Sequence, residues 1–362
     1  MSMVRLIRGW VDQYFSDEEA LFLLLLLVAG FVIVLTLGSI LAPAIASIIV
    51  AYLLQGPLNL LKRRGMSHLA ACVLVFSTFI MSCLAFMFIV FPAVWGQVTQ
   101  LFGELPRMLD KAQLLMTVLP ERYPELFSED QIKNLTATAG EELGHIGQLA
   151  VSFSLSTLPN VMAILIYLIL VPLLVFFFLK DGSMMIRWWV SLLPVKRALI
   201  GRVWTELDQQ FANYIRGKVV EIVAAGGVTY VAFAIMGLNY AALLAILVGL
   251  SVVIPYIGAA VVTVPVVLIA FFQWGIGPDF YYLVAVYFII QALDGNVLVP
   301  LLFSEAVNLH PVVIILAVLV FGGMWGLWGV FFAIPLATLF KAVLTSWPRG
   351  VRAVQDEQAE NQ

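Results

Sequence analysis

The sequence predicts an all-α fold, a polytopic integral membrane protein with about eight transmembrane helices, some of them broken, and an extracytoplasmic helical hairpin. Three observations predict this class. Hydrophobic residues make up 62% of the 362 residues and charged residues 11%, whereas a soluble domain carries about 25% charged residues. The mean hydropathy is +1.03. The apolar residues also occur in long stretches, so most of them are expected to face lipid.

Eight apolar stretches have roughly the 20 residues that a membrane crossing needs. They are Leu21–Leu37, Leu41–Leu61, Ala70–Val94, Leu158–Leu179, Val219–Met236, Ala241–Phe272, Tyr281–Phe303 and Pro311–Lys341. The first two are separated only by Gly38-Ser39-Ile40, which fits either a tight helical hairpin or one long bent helix. The sixth is too long for one straight span, and its interruption at residues 255–258 fits either one broken crossing or a hairpin.

The distribution of lysine and arginine predicts the orientation, because these residues concentrate in cytoplasmic loops. They occur before the first stretch, in Lys62-Arg63-Arg64 after the second, in residues 180–218 and in the tail. Both termini are therefore predicted to be cytoplasmic, with the acidic residues 95–157 outside. Eight crossings satisfy this orientation if the sixth stretch crosses once, whereas a hairpin there would move the C-terminus to the other side.

This topology divides the chain into seven segments. They are a cytoplasmic N-terminal segment (1–19), transmembrane helices 1–3 (20–94), an extracytoplasmic amphipathic helical hairpin (95–157), transmembrane helix 4 (158–179), a cytoplasmic amphipathic segment (180–218), a C-terminal transmembrane bundle with broken helices (219–345) and a cytoplasmic tail (346–362). In the extracytoplasmic hairpin, apolar residues recur every three or four positions on both sides of a turn at Pro120–Pro124. These apolar stripes can pack on each other, on the membrane surface or on a neighbouring subunit.

Asp294 is the sharpest candidate for a functional site, because it lies well inside the seventh apolar stretch. An ionisable group at that depth costs at least about 2.5 kcal/mol unless it is partnered or hydrated. One interpretation is a proton, cation or substrate contact in a transport pathway. The other is a helix break at Gly295, with Asp294 capping the next half-helix. Gln291 precedes Asp294 by one turn and shares its face, and Asn296 joins them only if the backbone breaks.

The segment Pro255-Tyr256-Ile257-Gly258 interrupts the sixth stretch with a proline and a glycine, which both disfavour a regular helix. Broken helices of this kind often mark binding sites in transporters. Pro255, Tyr256 and Gly258 are therefore candidates for the transport pathway. A simple loop or kink without a ligand is the alternative.

Two further features favour structural roles. Gly322, Gly326 and Gly329 would share one face of a helix, where small residues allow a neighbouring helix to pack closely. The same face could also permit sliding during a transport cycle. Glu221 follows Lys218 at the start of the fifth stretch, and an ion pair or a helix-start role is favoured for it.

Signatures of several other classes are absent from the sequence. It contains no H-E-x-x-H, G-x-S-x-G or Walker A motif, so neither an intramembrane metalloprotease, a serine hydrolase nor a P-loop ATPase is predicted. With three histidines, a metal centre is not expected, and no cofactor is predicted. The net charge of -3 gives no sign of a nucleic-acid partner. The protein is therefore not expected to be an enzyme.

Several motifs resemble those of the autoinducer-2 exporter family, also called perM-like permeases. They are Leu179-Lys180-Asp181-Gly182, Tyr214-Ile215-Arg216-Gly217-Lys218, Pro255-Tyr256-Ile257-Gly258 and the block from Gln291 to Pro335. Their order and spacing match over nearly the whole chain. The resemblance implies an inner-membrane secondary transporter or exporter that forms homo-oligomers. Members have been linked to export of autoinducer-2, and some to sodium–proton antiport.

Three functional hypotheses remain at this point. The first is a secondary transporter of a small polar solute or signalling molecule, with Asp294 available for coupling to protons or sodium. The second is an oligomeric passive channel, which needs no coupling residue. The third is a non-transporting membrane scaffold that binds a partner through residues 95–157. All three place the protein in contact with the lipid bilayer, and the first two imply a small-molecule or ion substrate.

Overall fold

The computed structural model describes residues 18–122, 158–193, 198–303 and 309–346. These residues form helices joined by short turns, and none of them lies in a strand. The helices are α1 (Glu18–Arg63), α2 (His68–Ala85), α3 (Phe91–Arg122), α4 (Leu158–Ser191), α5 (Ala198–Ile235), α6 (Ala241–Ser251), α7 (Ile257–Trp274), α8 (Pro278–Leu293), α9 (Val299–Phe303), α10 (Pro311–Trp325) and α11 (Leu327–Ser346). Single π-helical turns, Phe86–Val90 and Asp294–Leu298, join α2 to α3 and α8 to α9.

Eight stretches within the described helices are long and apolar enough to cross a bilayer. Large apolar side chains cover their outer surfaces: Leu25, Ile169 and Ile235 are 66%, 68% and 81% exposed. A continuous apolar surface of this kind suits lipid rather than water. The predicted all-α polytopic membrane fold is confirmed.

The first two apolar stretches form one helix, α1, rather than a tight hairpin. The Glu19 carboxylate accepts a hydrogen bond from the Ile200 N–H (2.9 Å), and the Tyr52 hydroxyl donates one to the Asp208 carboxylate. These partners lie about 12 Å apart along α5, whereas Glu19 and Tyr52 would lie about 50 Å apart in a straight helix. The helix must therefore bend between them, and Pro43, a common cause of kinks, lies in this part of α1.

The sixth apolar stretch forms a hairpin of α6 and α7, so the single broken crossing is wrong for this segment. Gln273, near the end of α7, accepts a hydrogen bond from the Asn239 N–H (2.7 Å) and donates one to the Gly237 carbonyl (2.8 Å). The two ends of the segment therefore lie together. Its turn, Val252–Tyr256, contacts the buried Lys218 side chain of α5 through the Val252 carbonyl. With 11 residues, α6 is too short to cross a bilayer.

The eighth apolar stretch also splits into two antiparallel helices, α10 and α11, at Gly326. Both stretches turn back instead of crossing once, so the two hairpins together leave the predicted side of the C-terminus unchanged. Leu23, near one end of the described chain, packs in one cluster with Val203 and with Val343, near the other end. Both ends of the described chain therefore lie at the same end of the bundle. Of the terminal segments predicted to be cytoplasmic, residues 1–17 and 347–362 lie outside the described residues.

The segment 180–218, predicted to be cytoplasmic and amphipathic, belongs to two long helices. Helix α4 runs to Ser191, and α5 begins at Ala198 and continues through Lys218 without a break. The Lys218 side chain is buried in the bundle. The cytoplasmic location predicted for residues 180–218 stays a prediction.

The first arm of the hairpin predicted for residues 95–157 is helical, and the second arm lies outside the described residues. This arm packs on the start of α6 and the end of α7. This contact was not among the three expected packing modes. Gln97 Oε1 accepts a hydrogen bond from the Leu243 N–H in the first turn of α6 (2.9 Å). Burial, a hydrogen bond to Glu104 and the charge of Glu104 raise the pKa of the Tyr240 hydroxyl to about 12. Helix α3 therefore holds the start of α6.

Candidate transport site

A cavity of about 640 Å³ lies between α5, the turn of the α6–α7 hairpin, the junction of α8 with α9, and the start of α10. Four residues predicted from the sequence lie on its wall: Pro255, Tyr256, Gln291 and Asp294. The other lining residues are Tyr214, Lys218, Glu221, Val252, Ile254, Ala259, Gly295, Val299, Pro300, Phe303, Leu309, Pro311, Ile314 and Ile334. A mostly apolar wall with a few charged and polar groups is typical of small-molecule sites.

Asp294 is the first residue of the π-helical turn Asp294–Leu298. The chain remains helical through Gly295, so Asp294 does not cap a second half-helix after a break. Its Oδ1 atom is buried and has no hydrogen-bond partner among the described residues. A buried acceptor without a partner costs about 1–3 kcal/mol, and π-helical turns inside α-helices are frequent at functional sites. Both features single out Asp294 on the cavity wall.

A buried ion pair lies on the α5 side of the cavity. Lys218 Nζ is 2.8 Å from Glu221 Oε2 and donates a second hydrogen bond of 2.8 Å to the Val252 carbonyl in the hairpin turn. The ammonium also lies 5.4 Å from the centroid of the Phe303 ring, within the range of a cation–π contact. The favoured ion pair is therefore present. A helix-start role for Glu221 is wrong, because it lies in the middle of α5.

Gly217 allows the Phe303 ring to approach Lys218. A Cβ at residue 217 would lie 2.7 Å from Phe303 Cε1, so a larger residue would displace the ring. One turn earlier, the Tyr214 hydroxyl donates to the Phe331 carbonyl (2.8 Å). Sequence reasoning missed Lys218 as a cavity residue. Its spacing of three residues from Glu221, followed directly by a long apolar run, was a usable signal.

The hairpin turn has a strained backbone next to the cavity. Tyr256 has φ 63° and ψ -50°, and the Ile257 N–H donates to the Pro255 carbonyl (2.7 Å), which is the geometry of the rare γ-turn with positive φ. Such strain persists only where the surrounding structure enforces it, and it is enriched at functional sites. Gly258 does not line the cavity. A Cβ on it would overlap the Ser251 carbonyl oxygen, so its role is to let α6 and α7 meet.

Gln291 and Asn296 have different surroundings. The Gln291 amide nitrogen donates to the Tyr287 hydroxyl (2.9 Å), which lies 3.0 Å from the Thr263 hydroxyl of α7. These bonds tie α8 to the hairpin beside the cavity. The Asn296 side chain is exposed and donates to the Ala292 carbonyl of its own helix (2.8 Å). It does not join the cavity wall, because the helix continues through this region.

Gly322, Gly326 and Gly329 do not share one helical face, because α10 ends before Gly326. Gly326 forms the turn and has φ of 59°, a value that favours glycine. A Cβ on Gly322 would lie 2.8 Å from Val330 Cγ2, and one on Gly329 would overlap the Phe321 carbonyl oxygen. These glycines lie where α10 and α11 meet, and none of them lines the cavity.

The charged groups on the cavity wall are close enough to act on one another. The charge of Lys218 acts on Asp294, and the charge of Asp294 acts on Glu221. Among the described residues of the wall, Glu221 and Asp294 carry one negative charge in excess over the Lys218 ammonium when both carboxyl groups are ionised. No group of three His, Cys, Asp or Glu side chains in the described part of the chain could hold a metal ion. The arrangement can therefore accept a proton, a cation or a hydrogen-bond donor at Asp294.

Comparison with known proteins places the chain in a family. The model of the AI-2E family transporter matches residues 21–349. The chain belongs to the AI-2E transporter family. PerM of Escherichia coli (strain K12), named as a permease, is 49% identical over 348 residues, which cover 96% of this chain and 99% of PerM.

More distant relatives have the same kind of name. YueF and YrrI of Bacillus subtilis (strain 168), both named as transport proteins, are 27% and 26% identical. The matches cover 86% and 87% of this chain and 85% and 88% of the two relatives. The resemblance carried by the motifs is confirmed, and this AI-2E family member is a multi-pass membrane transporter by class.

Proposed function

We propose that this AI-2E family member is a secondary transporter, not driven by ATP, that moves a small polar solute or signalling molecule through the Asp294 cavity. The observation that carries the proposal is the unpartnered, buried Oδ1 of Asp294 on the wall of a cavity of about 640 Å³ among apolar helices. The sequence contains no Walker A motif, which supports an energy source other than ATP hydrolysis by this chain.

Asp294 is the proposed coupling residue. An ionised carboxylate within a membrane-spanning region is costly, and such residues mark ion pathways and proton relays in transporters. The cost falls when a proton or a cation neutralises the charge. Binding of a proton or a cation to Asp294 therefore changes the stability of the state in which the carboxyl group faces the cavity. This change in stability couples the ion to the solute.

The turn of the α6–α7 hairpin is the proposed moving part. Broken helices that meet near the middle of the membrane form the binding sites of several transporter folds, and alternating access moves one group of helices against another. The Lys218 ammonium bridges Glu221 and the Val252 carbonyl of the turn. A change of charge at Asp294 acts on Lys218 and hence on the position of the turn. Tyr256 and Pro255 shape the solute side, and Gln291 orients the solute.

The cellular placement is part of the same proposal. Arginine residues occur near both ends of the chain, at Arg5, Arg8, Arg349 and Arg352, and the two ends of the described chain lie together. This supports cytoplasmic termini. The inner membrane as the location and a homo-oligomer as the assembly follow from the family resemblance.

The experiment is a flux assay on the full-length protein in liposomes. A panel of radiolabelled polar solutes is tested with and without imposed sodium and proton gradients. Asp294→Asn keeps the shape of the side chain and removes its charge, so gradient-driven flux is expected to fall about tenfold or more, which corresponds to about 1.4 kcal/mol of lost coupling.

Asn296→Ala is the matched control, because Asn296 lies in the same π-helical turn but outside the cavity wall. Its flux should remain near that of the wild type. Wild-type flux that follows only the solute gradient and ignores both ion gradients would favour a passive channel. Gradient-driven flux that is unchanged by Asp294→Asn would remove Asp294 from the mechanism.

A further inference from the structure

We infer that the solute of this cavity is an organic cation, with one ammonium group on an apolar or aromatic body. The inference rests on the proposed function, since it assigns a chemical class to the solute of the same site. It is carried by the balance of charge on the wall, by the partners already held by the cationic group, and by the size and character of the remaining surface.

The positive charge of the wall is already engaged. Lys218 donates to Glu221 Oε2 and to the Val252 carbonyl, and it lies against the face of Phe303. Its ammonium is buried, with the side chain 5% exposed. A solute anion would have to break these contacts to gain a partner and would also lie near two carboxyl groups. Anions are therefore disfavoured on electrostatic grounds.

The negative charge of the wall is only partly engaged. Glu221 is paired with Lys218, whereas Asp294 Oδ1 has no hydrogen-bond partner in the described part of the chain. A solute that donates hydrogen bonds and carries a positive charge satisfies this oxygen and removes the excess charge together. A neutral donor satisfies the oxygen but leaves the charge.

The rest of the wall fits an organic body better than a bare metal ion. Ca²⁺ takes about six to eight oxygen ligands, whereas the described part of this wall has two carboxyl groups, of Glu221 and Asp294, and that of Glu221 is paired with Lys218. The cavity of about 640 Å³ falls within the range of drug-sized ligand sites. The side chains of Pro300, Ile314 and Ile334 supply apolar surface, and the Tyr256 side chain, 60% exposed, supplies an aromatic ring.

Lys218 itself shows how this protein accommodates an ammonium group. Its ammonium has a carboxylate, a backbone carbonyl and an aromatic ring as neighbours. A solute ammonium near Asp294 would have a carboxylate and the Tyr256 ring available in the same cavity. Cation–π contacts in desolvated sites contribute about 2 kcal/mol, so the aromatic body and the aromatic wall both favour a cation.

The test compares three probes of the same shape and different charge. They are 2-phenylethylamine, 3-phenylpropionate and 2-phenylethanol, which are cationic, anionic and neutral at neutral pH. Binding to the full-length protein in lipid nanodiscs is measured by equilibrium dialysis, with empty nanodiscs to correct for partition into lipid. The amine is expected to bind about tenfold or more tightly than either of the other probes, a difference of one decade in Kd.

Asp294→Asn should reduce the affinity for the amine by about tenfold or more, while Asn296→Ala should leave it unchanged. Binding of 3-phenylpropionate or of 2-phenylethanol as tight as that of the amine would overturn the inference. Failure of the amine to bind, or amine binding that Asp294→Asn does not weaken, would also overturn it.

The outcomes separate this inference from the proposed function. If flux in liposomes depends on Asp294 but 3-phenylpropionate binds more tightly than the amine, the cavity remains the transport site and the cationic class is wrong. If flux is indifferent to Asp294, the transport site itself is wrong, whatever the probes do.

Discussion

The molecule contains two helical hairpins that are built alike and surrounded differently. Each joins two antiparallel apolar helices at a residue with positive φ, Tyr256 in the α6–α7 hairpin and Gly326 in the α10–α11 hairpin. Each also contains a glycine, Gly258 or Gly329, whose Cβ would overlap a carbonyl oxygen of the preceding helix. The local requirements for reversing an apolar helix are therefore met in the same way twice.

The surroundings of the two turns differ in charge. The first turn accepts a hydrogen bond from the buried Lys218 ammonium at the Val252 carbonyl and lies on the wall that carries Asp294. Beside the second turn, the Trp325 indole N–H donates to the Val34 carbonyl of α1 (3.1 Å). The two turns therefore share a backbone solution but not an environment. At the first turn, charged groups from other helices meet the break, and we propose that this combination makes the site.

The largest expected effect concerns the ammonium that holds the first turn. Lys218→Met leaves Glu221 buried without its partner, and breaking a buried pair in this way costs about 3–5 kcal/mol. For a protein of this size, we expect the midpoint of thermal unfolding in detergent to fall by about 4–7 °C. The double variant Lys218→Met, Glu221→Met removes both charges and should recover most of this loss without recovering flux. A single variant as stable as the wild type would contradict the role assigned to this ion pair.

The next effect tests the likeness of the two hairpins. Gly258→Ala and Gly329→Ala each force a Cβ against a backbone carbonyl, and overpacking of this kind costs about 1–3 kcal/mol. Thermal unfolding should show similar losses for both variants. Flux per folded molecule should fall only for Gly258→Ala, because only the first hairpin has its turn on the cavity wall. Gly295→Ala is the control for stability, since its Cβ would meet no atom within 4 Å.

The smallest effect concerns the neutral contact of the second turn. Trp325→Phe keeps most of the ring and removes the N–H that bonds to Val34. The loss should be about 0.5–1.5 kcal/mol, the usual net contribution of one hydrogen bond. Thermal unfolding measures this loss, and flux should be unchanged. A loss of flux comparable to that of Lys218→Met would show that the two turns share the work of transport.

Much of the fold can be predicted from the sequence, because long apolar stretches identify membrane helices. Asp294 and the Pro255–Gly258 break could be identified because a charge or a proline is conspicuous in an apolar run. Whether the sixth and eighth apolar stretches cross the membrane once or turn back could not be predicted, since an apolar stretch has the same composition in both cases. The ends of the α6–α7 hairpin meet through Gln273 and Asn239, which carry no sequence signal of pairing.

The rest of the site depends on contacts between distant segments. Lys218 resembles a loop charge in the sequence, and only its bond to the Val252 carbonyl, 34 residues away, places it in the bundle. Asn296 was expected to join Asp294 only if the backbone broke, and the π-helical turn keeps the helix continuous and leaves Asn296 outside the cavity wall. Composition alone does not show whether the helix is continuous between Asp294 and Asn296, and this continuity decides whether the two residues share a face.

The central claim is that solute passes through the cavity at the first hairpin turn, and filling this cavity tests it most directly. Gly295 lies on the cavity wall, and Gly323 lies near the second turn; a Cβ on either would meet no atom within 4 Å. A side chain can therefore leave the backbone at either position without a clash at its Cβ. Flux in liposomes is compared at equal amounts of folded protein. We predict that Gly295→Phe reduces flux to background and that Gly323→Phe transports as the wild type does. Equal flux through the two variants would contradict the account.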